Sequence, residues 1–250
     1  MSRESTKPSP LLFFIHIPKT AGSSIYQILH REYSKRLGIF YDLTPREWEM
    51  TLARPDHGFD CIFGHYWFGF HAHSARPYEY ATMMRHPVEA VLSYYFYIAH
   101  QPSHWLNPFV LQMPMKDFFQ LPDNIMDAFF RNYQSVYMLG RPPVSWKDTL
   151  KIVTEHYPIV GVTELYHESV YLLKNRYGWK SAEVFRVNAT PNRPTIEQID
   201  PEVIALIESL VEHDLRLYRF VRKRLEKEIQ RLPHWKKKQL ELFKREGRLD

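Results

Sequence analysis

A chain of 250 residues, 44% hydrophobic and 24% charged, is long enough to bury one full core and has the balance of an ordinary globular domain, which excludes a disordered, collagenous or disulfide-built protein. The single cysteine, Cys61, rules out an internal disulfide, and its place in an apolar run predicts a packed thiol. The formal net charge is +5, but residues 219–250 hold 12 Lys and Arg against 5 Asp and Glu, a net of +7 that leaves −2 on the first 218 residues. Basicity therefore belongs to the tail, and nucleic acid is not an expected partner of the body.

Residues 1–10 are polar with two prolines and read as a disordered N-terminus. Leu11 to Ile17 is a short, nearly continuous apolar run, the pattern of a central parallel strand and too short to span a bilayer. No signal-peptide pattern precedes it, so a cytoplasmic protein is expected. From Ser23 the period changes to Ile25, Ile28, Leu29, Tyr33 and Leu37, one face of a helix. The switch falls on Pro18 to Ser24. There the first N–H groups of the helix lack partners and its dipole end is positive, so an anion against Gly22, Ser23 and Ser24 is held by backbone. Lys19 adds a cation, the hydroxyls of Thr20, Ser23 and Ser24 add donors, and Ala21 completes the turn. This is not the nucleotide triphosphatase loop G-x-x-x-x-G-K-S/T, because the lysine precedes the only glycine and the loop is shorter.

Strand candidates at 59–63 and 79–84 run into Gly64-His65 and Arg85-His86, which puts basic groups where a metal-binding carboxylate would stand. No metal is expected. Arg85 can fork two hydrogen bonds to a phosphate, and Pro87 can open a helix with the apolar face Val88, Val91, Leu92, Tyr95 and Ala99. Ser93, two turns in, can complete that grip. Of thirteen histidines, His65 is selected by position as a general base, with His16 ranked second. His71 and His73 stay open between acceptor contact, a weak metal pair and plain surface. Trp67, Tyr66 and Trp105 are candidates to stack on the apolar face of a ligand.

Further along, Asp123 can cap a helix ending near Gly140, Ser145 one through His156, and Gly178 can end one begun near Leu165. Strand candidates at 158–162 and 183–187 bring the total to five. Asp200-Pro201 opens a long helix with an apolar face from Val203 to Leu225. Strands alternating with helices predict an α/β fold with a parallel sheet covered on both faces over 11–232, followed by a basic tail at 233–250. With Trp235, Leu240, Leu242 and Phe243, that tail is open between contact with anionic lipid or a polyanion and a solvated extension, the second being favoured.

The loop Pro18-Lys19-Thr20-Ala21-Gly22-Ser23-Ser24 resembles the 5′-phosphosulfate loop of carbohydrate sulfotransferases of the heparan and dermatan 2-O-sulfotransferase type and their bacterial relatives. Arg85-His86-Pro87-Val88-Glu89-Ala90-Val91-Leu92-Ser93-Tyr94-Tyr95 resembles that family's 3′-phosphate motif, and Phe63-Gly64-His65 falls where its Gly-His catalytic segment lies. Weaker similarity runs through Arg131-Asn132-Tyr133-Gln134, Gly161-Val162-Thr163-Glu164 and Val187-Asn188-Ala189-Thr190, so it spans roughly residues 11–220.

The resemblance implies a P-loop-kinase-like three-layer fold and 3′-phosphoadenosine 5′-phosphosulfate (PAPS) as donor. Asn188, Thr190 and Arg193 would lie in a segment folded over the nucleotide, and a hydroxyl of a saccharide or glycolipid would be the acceptor. It also implies a bacterial-type cytoplasmic enzyme, since the animal Golgi members carry a membrane anchor. Phe63 stands where the glycosaminoglycan enzymes carry the first histidine of a His-Gly-His stretch, which counts against a glycosaminoglycan acceptor. The alternatives are a nucleotide or small-molecule kinase, separated by magnesium dependence, and a polyanion-binding module using the tail, which would bind with steep salt dependence and show no turnover.

Overall fold

The computed structural model describes residues 10–143, 145–183 and 194–249. At its centre lie five parallel strands: β1 (Leu11–Ile15), β2 (Leu37–Ile39), β3 (Cys61–Gly64), β4 (Tyr78–Met84) and β5 (Ile159–Val162), in the order β2-β3-β1-β4-β5. All five residues of β1 are buried, as required of a central strand whose two faces are both covered by helices. Helices α1 (Gly22–Tyr33), α2 (Pro45–Leu52) and α3 (Pro87–Ala99) follow the first strands. Between α3 and β5 the regular elements among the described residues are all helices: α4 (Asn107–Gln112), α5 (Met115–Phe118), α6 (Asp123–Phe129), α7 (Tyr133–Leu139) and α8 (Trp146–His156). After β5 come α9 (Tyr166–Tyr177), the two-residue β6 (Ala182–Glu183), α10 (Pro201–Leu210), α11 (Glu212–Arg231), α12 (His234–Glu246) and β7 (Arg248–Leu249). This is the three-layer α/β architecture that the strand-helix alternation predicts. Among the described residues no helix is long and apolar enough to cross a membrane.

The register ends β1 and β3 at one level, Ile15 opposite Gly64, and carries β4 two residues past Ile15's other partner, Thr82. From β1 the chain leaves through α1 toward β2 and β3, whereas from β4 it leaves toward β5 on the other side. The loops after β1 and β4 therefore diverge and open a crevice at the carboxyl ends of the strands, the usual ligand position in an open α/β sheet.

Several elements differ from the sequence reading. The fifth sheet strand is Leu37–Ile39, a stretch whose Leu37 continued the helical apolar period; α1 ends at Tyr33 and Leu37 pairs with Cys61 instead. The strand expected at 183–187 is, within the described residues, β6, which pairs antiparallel with β7 outside the main sheet. The helix expected from Asp123 to Gly140 breaks at Asn132, whose φ of 47° places it in the left-handed region. Its Oδ1 accepts the N–H groups of His213 and Asp214, at 2.9 and 3.1 Å, and so caps α11. The long helix from Pro201 likewise divides at Val211 to make that capped start.

The tail is not a solvated extension. Leu240 and Phe243 of α12 are buried against the core, the Tyr171 hydroxyl donates to Gln239 Oε1 at 3.1 Å, and Lys244 pairs with Glu168 at 2.7 Å. Apolar residues three apart on one helix face found a partner in α9, which the charge count could not show.

Candidate functional site

The loop after β1 ends in α1, whose N-terminus has no side-chain cap and no acidic residue in its first turn. Its leading N–H groups are donors at a positive dipole end, the condition that favours an anion. Lys19 and Ala21 both take positive φ, 66° and 67°, a left-handed conformation that costs a non-glycine residue about 1 kcal/mol or more. The strain is held from below: the Thr20 hydroxyl donates to the Ile17 carbonyl at 2.8 Å and the Tyr133 hydroxyl to the Pro18 carbonyl at 3.1 Å. Thr20 is buried, so its hydroxyl is spent on the loop rather than offered to a ligand, a correction to the expected donor set. Lys19 Nζ rests 4.4 Å from the centroid of the Tyr97 ring.

Gly22 is required by its neighbour. A Cβ there would lie 1.7 Å from His16 Nε2, so the imidazole occupies the space a side chain would take. His16 stacks between Phe63 and His65, with centroids at 5.1 and 4.2 Å. Burial, the neighbouring His65 and Lys19 together press its pKa down to about 3, so it stays neutral.

His65 follows β3 directly. Its Nδ1 is hydrogen-bonded to the His16 carbonyl, and because a carbonyl only accepts, Nδ1 carries the proton and Nε2 the lone pair. Burial lowers its pKa, opposed by that same bond. The outcome is a neutral imidazole of fixed tautomer beside the anion loop.

Arg85, at the end of β4, pairs with Glu89 at 2.9 Å across one turn of α3. Its backbone is clamped by Gln134, whose side chain accepts from the Arg85 N–H and donates to the Arg85 carbonyl, both at 3.0 Å. Gln134 is itself fixed: its N–H donates to the buried Asp214, which also takes the Ser135 N–H and hydroxyl. Burial raises the Asp214 pKa to about 6 against those bonds. The segment Arg131-Asn132-Tyr133-Gln134 is thus a brace for the site; Arg131 points to Asp123 and Asp127 on its own side of the molecule.

Lys19, Ala21, Gly22, Ser23, Ser24, His65, Arg85 and Ser93 all line one cavity of about 1040 Å³. Asn188, Thr190 and Arg193 lie outside the described residues. The cavity also takes in residues that were not expected as site residues: Tyr94 on α3 and Thr163 and Glu164 after β5, which lie inside the quoted motifs, and Tyr97, His104, Tyr137 on α7, Tyr166 and His167, which lie outside them. Thr163 Oγ1 is buried with no hydrogen-bond partner among the described residues. Its position at a strand end, in line with His65 and Arg85, was the available signal. Glu164 is committed elsewhere, accepting from the His86 N–H at 2.8 Å and the Tyr218 hydroxyl at 3.1 Å. His71 lies apart from the cavity, bonded to the Tyr80 hydroxyl at 3.0 Å, and His73 stands 3.8 Å from Glu49. Tyr66 is core, its hydroxyl donating to the Ile62 carbonyl, so it is not a sugar platform.

Among the described residues no group of three or more His, Cys, Asp or Glu is placed to hold a metal ion. No family model matches the chain, and a search of curated proteins gives no match.

Proposed function

We propose that the protein transfers the sulfuryl group of PAPS to a hydroxyl of a saccharide or glycolipid. The observation that carries this reading is the meeting, in one cavity, of two anion grips and a base: the uncapped α1 terminus with Lys19, the Arg85–Ser93 pair, and a neutral histidine of fixed tautomer. PAPS carries two anionic centres, at the 5′-phosphosulfate and the 3′-phosphate. The loop N–H groups and Lys19 hold the first, and Arg85 with Ser93 holds the second. The resemblance of the same three segments to the sulfotransferase motifs supports the assignment of which grip takes which group.

In the reaction the acceptor oxygen attacks sulfur and a new S–O bond forms as the bond from sulfur to the 5′-phosphate oxygen breaks. The hydroxyl proton passes to His65 Nε2, and adenosine 3′,5′-bisphosphate leaves with the electron pair. Lys19 and the loop amides stabilise the charge that develops on the bridging oxygen. His16 positions His65 through its carbonyl, and Gln134 positions Arg85.

The experiment is a thermal-shift comparison of adenosine 3′,5′-bisphosphate in EDTA with ATP and magnesium. A ligand at a hundred times its Kd adds about 2.7 kcal/mol of stability. A shift with the bisphosphate and none with ATP supports the reading; a shift with ATP and magnesium alone moves the case to a kinase.

A further inference from the structure

Two large rings beside the base are open to water. Tyr41 is 56% exposed and Trp67 is 55% exposed, and apolar surface so placed adds little to folding. The Tyr41 ring centroid is 5.4 Å from that of His65, and its hydroxyl accepts the His65 backbone N–H at 3.0 Å. Tyr137 lies 6.3 Å from His65, and Trp67 lies 6.1 Å from Tyr137, so a chain of ring contacts, edge-on at His65, links Tyr41 through the base and Tyr137 to Trp67.

This run of rings is held rigidly. The N–H of Phe68, next to Trp67, donates to the Tyr137 carbonyl at 3.0 Å. Gly140, at the end of α7 with φ 73°, packs so close to the Phe68 carbonyl that a Cβ would come within 2.2 Å of its oxygen. Trp67 therefore sits on a turn locked to α7, the preorganisation expected of a recognition element.

Charge narrows what it can recognise. Among the described residues lining the cavity, the Lys and Arg side chains are Lys19 and Arg85, both already assigned to the donor. The rest of the lining is the tyrosines Tyr94, Tyr97, Tyr137 and Tyr166, histidines, the carboxylates Glu89 and Glu164, and small or neutral groups. A sulfated or carboxylated chain would call for arginine or lysine of its own. A flat aromatic acceptor would be enclosed on most of its surface, whereas Tyr41 and Trp67 are more than half exposed. An uncharged sugar fits both facts, one apolar C–H face on the rings and its hydroxyl edge in water.

We propose that Trp67 and Tyr41 form the acceptor platform, selecting an uncharged pyranose and presenting one of its hydroxyls to His65. This rests on the transferase reading of the same cavity, but its test does not depend on turnover. Binding of methyl β-galactoside, methyl β-glucoside and a sulfated heparin disaccharide is measured by ligand-observed NMR on the wild type, Trp67→Ala and Trp67→Phe, with adenosine 3′,5′-bisphosphate as a separate probe. Since Trp67 is exposed, both variants should fold, and unchanged melting temperatures check this.

The expected result is binding of at least one neutral glycoside, weakened roughly tenfold by Trp67→Ala, largely restored by Trp67→Phe, and little changed between low and moderate salt. Three results overturn the proposal: preference for the sulfated disaccharide, equal neutral binding by wild type and Trp67→Ala, or no neutral binding where the bisphosphate binds. Trp67-dependent glycoside binding without bisphosphate binding would uphold the platform and refute the donor assignment.

Discussion

Gly22→Ala is the sharpest perturbation the structure offers. The added methyl would stand 1.7 Å from His16 Nε2 and 2.0 Å from its Cδ2, against an ordinary contact near 3.4 Å, so one group must move by well over 1 Å. His16 has nowhere to retreat: it stacks on Phe63 and His65, and its carbonyl holds His65 Nδ1. Overpacking of this kind costs about 1–3 kcal/mol of stability, and a 1 Å displacement of a catalytic group costs on the order of a hundredfold in rate. Urea unfolding and bisphosphate calorimetry should therefore show a destabilised variant with weakened binding. The companion is the double variant Gly22→Ala with His16→Ala, in which loss of the imidazole makes room for the methyl. Its destabilisation should be smaller than the sum of the two singles by more than about 0.5 kcal/mol. Strict additivity, or a Gly22→Ala protein as stable as the wild type, would refute the claim that the glycine exists to admit the histidine.

His65→Ala should lower turnover by roughly 10² to 10⁴ with bisphosphate affinity near normal, and near-wild-type turnover would remove it as the base. Because burial lowers the His65 pKa, the acid limb of the rate profile should fall below the ordinary histidine value of 6.5; a limb above 7 would contradict that environment. Burial also holds His16 near 3, so the unfolded chain binds the extra proton first: stability is present above pH 6.5 and is lost as pH falls toward 3, by about 5 kcal/mol in all. Across that range the wild type should lose stability relative to His16→Gln, and parallel curves would count against it. Deleting residues 233–250 removes the buried Leu240 and Phe243 and should lower the melting temperature by several degrees; an unchanged value would show that α12 does not support the domain.

The sheet and most of the site were legible because both rest on local signals. A buried strand followed by a change of period marks β1 and α1, and His65 and Arg85 stand one residue beyond buried strands that flank β1 on either side. What failed needed tertiary context. Leu37 satisfies a helical period and a strand equally, and only pairing with Cys61 decides between them. Asn132 has no local reason to break a helix; it does so to cap α11, 81 residues away. Gly22 was expected to admit a phosphate, and its nearest constraint is His16, which no spacing rule reveals. The aromatic wall was hidden for a different cause: in a chain with 15% aromatic residues, Tyr41 and Tyr137 carry no mark until the fold sets them beside His65.

The central claim is that this cavity takes a nucleotide bearing a 3′-phosphate through Arg85. Calorimetric titration of wild type and Arg85→Ala with adenosine 3′,5′-bisphosphate and with adenosine 5′-phosphate, in EDTA, tests it most directly. Losing one charged hydrogen-bonding partner costs about 1.5–3 kcal/mol, or roughly ten- to a hundredfold in affinity. That loss is expected for the bisphosphate alone, leaving the variant with similar affinity for the two ligands. Equal losses for both ligands, or no preference for the bisphosphate in the wild type, would contradict it.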